Sequence, residues 1–149
     1  MVLSVFAMAQ AKGNTPRLVW NVTPSAPTGL YWLANRRPRM GNLTAIRLPI
    51  SSPYLPKGVL LIKRIVASAG YIVCRHRTIV TINGRLAAVA RIADGSGRPL
   101  MRWTGCMRLR ATQIFVLSTR PEGFDSRYFG PVDRRHILGT AKHVFHWRL

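Results

Sequence analysis

Turn residues cut this chain into pieces too short for most helices. Twelve glycines and ten prolines are spread along its 149 residues. Between them lie short runs rich in branched and aromatic side chains, without the apolar spacing of helices. The punctuation predicts a mostly β fold: a single domain of short antiparallel strands closed as a folded barrel or sandwich. Strands are expected over 30–33, 44–48, 59–67, 78–82, 85–92 and 113–118, with another running toward 103 and a last from about 137 to 145. Asn83-Gly84 is the strongest hairpin signal, because both residue types tolerate the left-handed backbone of a two-residue turn. Asp94-Gly95 begins a further turn.

The length allows one domain with a real core. An apolar fraction of 48% is enough to offset the entropy of ordering the backbone. Charge is lopsided: 23 Lys and Arg stand against 4 acids, a net +19. Such an excess calls for an anionic partner, either nucleic acid or the anionic face of a membrane. The cations are scattered in short groups such as Arg36-Arg37 and Arg134-Arg135, which weakens the case for a dedicated nucleic-acid stripe. With so few acids, Asp94, Glu122, Asp125 and Asp133 each need a reason.

Cys74 and Cys106 bracket a hairpin region, 74–106, and lack the close spacing of a zinc or redox pair. A disulfide is the simplest expectation, and it requires an oxidising compartment. Residues 1–13 begin with the apolar MVLSVFAMAQA, about half the ~20 residues of a spanning helix. They are expected to be the end of a truncated membrane anchor, leaving 14–149 as the folded domain.

Two positions stand out chemically. On the strand VLLIKRIVA, Lys63 shares a face with Leu61, Ile65 and Ala67. Burial disfavours an ammonium, so a lysine held there loses its proton more easily and can act as a general base. A lysine so placed can also snorkel its head to water. Ser25 lies in NVTPSAPTG, a loop stiffened by Pro24 and Pro27, with Thr23 two residues before it and Gly29 where backbone must pass close to something. Serine needs a base to lose its proton, and a desolvated lysine can supply one.

The segments NVTPSAPTGLYWL, LLIKRIVASAG, TINGR with GRPL, and FDSRYFGPV follow one another in an order that resembles the TraF-type conjugative-transfer peptidases, relatives of type I signal peptidase. The resemblance implies a signal-peptidase-like fold and a Ser/Lys dyad, with Ser25 as nucleophile and Lys63 as base. Thr23 and the amide of Ser25 would stabilise the oxyanion. Asp125, Ser126 and Arg127 would match a segment that supports the site, its aspartate also implicated in activity. It further implies a small exported pilin or preprotein as substrate, processed for conjugative transfer with cyclisation as a second outcome. No cofactor or metal is implied. The chain would sit at the inner membrane with its catalytic domain in the periplasm, so an anionic membrane surface, not nucleic acid, is the expected partner.

Two departures from the family pattern bear on the site. Gly70-Tyr71 stands where signal peptidases usually read Gly-Asp. Gly123 stands where relatives often carry a serine bonded to the lysine, so Ser118, Ser126 or water must supply that contact. The competing readings are a general type I signal peptidase, a basic β-barrel binding nucleic acid through Trp20, Trp32, Trp103 and Trp147, a Ser/His/Asp enzyme using His76, His136, His143 or His146, and a metal at His143 and His146. For Asp125, a purely structural ion pair with Arg127 is the alternative to a catalytic role.

Overall fold

A computed structural model describes residues 17–48, 55 and 58–146; the apolar stretch 1–13 lies outside them. Among the described residues the chain forms β1 (Leu18–Asn21), β2 (Gly29–Ala34), β3 (Leu43–Arg47), β4 (Leu60–Ala67), β5 (Ile72–His76), β6 (Ile79–Ile82), β7 (Arg85–Val89), β8 (Gly105–Arg108), β9 (Gln113–Leu117), a four-residue helix α1 (Ser126–Phe129), β10 (Val132–Asp133) and β11 (Ile137–His146). One sheet has the order β1-β2-β11-β3-β4-β9-β10 and a second the order β7-β6-β5-β8. Every pairing between these strands is antiparallel. The mostly β expectation holds.

The β4 strand is central, flanked by β3 and β9, and its branched residues are buried on both faces. Leu61 and Ile65 pack with Ile46, Ile114 and Val116 on one side, whereas Ile62 packs with Val19, Tyr31 and Leu33 on the other. A third cluster, including Ala67, Val73, Val80, Phe115 and Leu117, binds the two sheets together. The expected hairpin is present: Asn83 and Gly84, at φ 48° and 79°, connect β6 to β7 through a turn that needs positive φ at both positions.

Several elements escape the sequence patterns, the two-residue β10 among them. The strand β1 is only four residues long. In β5 the buried face carries a charge, since Arg75 points inward beside Val73 and is 2% exposed. Its guanidinium donates to the carbonyls of Arg77 and Arg127 and lies over the Tyr128 ring. The helix α1 is too short to show a period, and it is capped by Asp125, whose carboxylate accepts from the Arg127 amide. The expected 85–92 strand stops at Val89, and the next one starts beyond Trp103, at Gly105. No helix among the described residues is long and apolar enough to cross a membrane.

Cys74 and Cys106 are directly opposed on β5 and β8 and are joined by a disulfide with Cα atoms 4.0 Å apart. The bond closes the segment that contains the β6–β7 hairpin. The sequence separation of 32 corresponds to roughly 3 to 4 kcal/mol of loop-closure stabilisation. Replacing both cysteines by serine is expected to lower the unfolding free energy by about that amount, read from the denaturant midpoint; an unchanged midpoint refutes it.

Candidate active site

The loop between β1 and β2 is built around one side chain that sequence reading passed over. Asn21, 8% exposed, directs its Nδ2 at three carbonyl oxygens, those of Thr23, Ala26 and Pro27, at 3.0 to 3.1 Å. Three acceptors around one end fix that end as the nitrogen, so Oδ1 faces Thr23. It accepts from the Thr23 amide at 3.3 Å and from the Thr23 hydroxyl at 2.9 Å. Tyr31, wholly buried beneath the loop, adds a 2.7 Å bond from its hydroxyl to the Pro27 carbonyl, and burial pushes its own pKa up to about 12, against a smaller opposing effect of Arg64. The loop ends at Gly29, where a Cβ would run into the Phe145 carbonyl of β11; this is the close approach that the sequence suggested.

Half-buried Ser25 projects from this loop, with its Oγ 3.1 Å from the Thr23 Oγ. A threonine hydroxyl carries one hydrogen, and Asn21 Oδ1 can only accept, so that hydrogen points at Asn21. Ser25 is therefore the donor in the Ser25–Thr23 contact. A small cleft lined by Trp20, Leu60 and Ile62, among others, opens beside Thr23.

Lys63, on β4, is 2% exposed. Burial pulls its pKa down from 10.5 to about 8; Asp125 opposes this and Arg127 assists it. Those two charges form an ion pair whose effects on the amine oppose each other, and desolvation is the largest influence. The amine does not snorkel to water. Its Nζ donates to Ser118 Oγ at 2.8 Å, which selects Ser118 from the three possible sources of that contact. Ser126 is engaged elsewhere, its hydroxyl accepting from the Val116 amide at 3.0 Å.

The segment 118–119 ties the two groups together. Thr119 donates to the Ser25 carbonyl through its amide at 3.0 Å and its hydroxyl at 3.2 Å. On the other side, the Ser118 amide donates to Asp125 Oδ2 at 2.7 Å. Asp125 is fully buried and pairs with Arg127 through both oxygens, at 2.8 and 2.9 Å. The remaining Arg127 hydrogens reach the carbonyls of Val89, Arg120 and Pro121. Geometry thus gives Asp125 the contacts of an anchor.

Other candidate groups lie apart from this cluster. Trp103 packs edge-on against Phe115 and donates to the Ser126 carbonyl at 3.0 Å, which makes it a core residue. His143 Nε2 lies 3.2 Å from the Thr28 carbonyl, while the His146 side chain and Trp147 fall outside the description. No group of three or more His, Cys, Asp or Glu among the described residues could hold a metal. Asn21 had one visible signal, an Asn opening a Thr/Pro/Ser loop, a type that folds its side chain back on nearby backbone. Ser118, at a strand end, carried little.

Residues 1–147 match the family described as signal peptidase, peptidase S26. The chain is 30% identical to a plasmid transfer protein TraF of Escherichia coli, covering 85% of this chain and 82% of that one. It is also 30% identical to a probable conjugal transfer protein TraF of Sinorhizobium fredii, over 97% and 88% of the two chains. A signal peptidase I structure from Enterococcus faecalis superposes with a TM-score of 0.45 at 19% identity, covering 72% of this chain and 98% of that one.

The lowered Lys63 pKa has a thermodynamic signature. Between pH 8 and 10.5 the unfolded chain keeps a proton that the folded protein has released, so folding stability rises with pH across that window. A shift of this size is worth on the order of 3 kcal/mol. Lys63→Met is expected to remove this rise, measured by denaturant unfolding at pH 7.5 and 10.5. An identical pH dependence in both proteins shows that Lys63 titrates normally.

Proposed function

The chain belongs to the signal peptidase family, peptidase S26, and is a serine peptidase; from that premise we propose that Ser25 is its nucleophile and Lys63 its general base. One observation carries this reading. A lysine withdrawn from water is held by a segment whose next residue grips the nucleophile's own carbonyl.

In the proposed reaction the Ser25 hydroxyl turns its hydrogen from Thr23 to the neutral Lys63 Nζ, which takes the proton as Ser25 Oγ attacks the scissile carbonyl. The amide of Ser25 and the Thr23 hydroxyl stabilise the oxyanion. Since that hydroxyl points at Asn21 in the free enzyme, it must rotate to serve. As the tetrahedral intermediate collapses, the leaving amine takes the proton from Lys63 and an acyl ester remains on Ser25. Water then releases a linear product, or the substrate's own N-terminal amine attacks and closes a ring. For the second outcome the amine must outcompete solvent, which effective molarities of roughly 10⁵ to 10⁸ M for well-oriented groups make feasible.

The relatives' names, plasmid transfer and conjugal transfer protein, support a part in conjugative transfer, and the substrate proposed for it, an exported pilin-like precursor, is the one that the family resemblance implies. A disulfide and a net charge of +19 support a catalytic domain in the periplasm against an anionic membrane face. Asp125 takes a positional part in this scheme. With both oxygens occupied, it acts through Ser118 and Arg127 rather than on the incoming amine.

Mass spectrometry of a co-expressed pilin precursor tests the scheme. Active enzyme should give a shortened product, lighter by one further water if cyclised, and Ser25→Ala should give none. Lys63→Arg should also be inactive, because guanidinium keeps its charge, whereas wild-type activity should rise with pH about a midpoint near 8. Processing by either variant refutes the dyad. Asp125→Asn that cleaves but no longer cyclises would return the aspartate to the second step.

A further inference from the structure

Gly123 is a glycine without a conformational reason. Its φ lies outside the left-handed region, unlike nine of the other glycines among the described residues. Its backbone would therefore accept any L-residue. What excludes a side chain is space: a Cβ at 123 would fall on the Oγ and Cβ of Ser118. Positions 118 and 123 thus compete for one volume, and only one of them can fill it. The occupant of that volume bonds the Lys63 amine at 2.8 Å.

We infer that Ser118 is the positioning residue for Lys63 and that Gly123 is its reciprocal half, empty so that the hydroxyl can come from 118. The inference rests on the Ser25/Lys63 reading and adds the group that aims the base. Three contacts make Ser118 suited to this. Its amide is fixed by Asp125, its neighbour Thr119 is fixed to Ser25, and it directly follows β9, which pairs with β4. The hydroxyl therefore reports the position of the nucleophile loop to the lysine through two residues of backbone. A hydroxyl delivered from 123 would reach the same amine without that direct link.

An exchange of the two side chains tests this. Ser118→Ala and Ser118→Gly should each lower kcat by about ten- to a hundredfold, the worth of one hydrogen bond to a chargeable group, with KM little changed. The midpoint of the kcat–pH profile should move as the amine loses its partner. Gly123→Ser alone should be impaired, since two side chains then share one site. The double variant Ser118→Gly/Gly123→Ser should recover most of the activity lost in Ser118→Gly, because the hydroxyl returns to the same place. Thermal unfolding of each variant separates loss of fold from loss of positioning. Wild-type kcat in Ser118→Ala overturns the inference, as does a folded double variant no better than Ser118→Gly. Lys63→Met distinguishes the levels: if it is active, the dyad itself fails; if it is inactive while Ser118→Ala is not, only the role of Ser118 fails.

Discussion

The buried pair between Asp125 and Arg127 is the contact on which the rest of the site hangs. Taking two charges out of water is costly unless every hydrogen-bonding position is filled, and here each one is. The carboxylate accepts from two amides and from the guanidinium, and the guanidinium spends its other hydrogens on three carbonyls. One of these, that of Val89, belongs to the second sheet. The pair therefore caps α1, fixes the 118–119 segment and joins the two sheets. In a chain with 23 cations and 4 acids, the one fully buried carboxylate stands at this junction. The other two aspartates close local turns, Asp94 through the amides of Ser96 and Arg98 and Asp133 through that of Arg135.

The same pair lets Lys63 be buried without being held charged. An unpaired carboxylate near the amine would favour ammonium and keep the base protonated. Neutralised by Arg127, it leaves desolvation to set the protonation state. Rigidity is divided in a related way. Lys63 is held by a central strand buried on both faces, whereas Ser25 sits on a loop shaped by Asn21 and Pro residues. Segment 118–119 connects them, Ser118 accepting from Lys63 and Thr119 donating twice to the Ser25 carbonyl.

Much of the fold was legible in the sequence. Branched runs bounded by glycine, with Asn-Gly between two of them, are local signals, and the strands they specify form close to the expected positions. The inward-facing Arg75 hid β5, because a strand reads as amphipathic only when its buried face is apolar. Its burial depends on carbonyls of Arg77 and Arg127, the second of them 52 residues away, and no local pattern announces such a partner. The helix α1 and the strand β1 are each four residues long, too short for a period to register.

For the site, the sequence by itself determined which residues could carry chemistry: a lysine amid branched apolar neighbours, a serine in a proline-stiffened loop, and a lone Asp-Ser-Arg in a chain poor in acids. Those properties are local, since burial of a strand face and stiffness of a loop follow from adjacent residues. Only the tertiary structure decided how they are wired. It sent the lysine's hydrogen bond to Ser118, 55 residues away in sequence. It turned the Ser25 hydroxyl toward Thr23, and it made Gly123 a vacancy for another residue's side chain. Such choices are settled by which side chain occupies a shared volume, and that depends on strand register and on the fixed number of donors and acceptors. Neither is encoded at any single position.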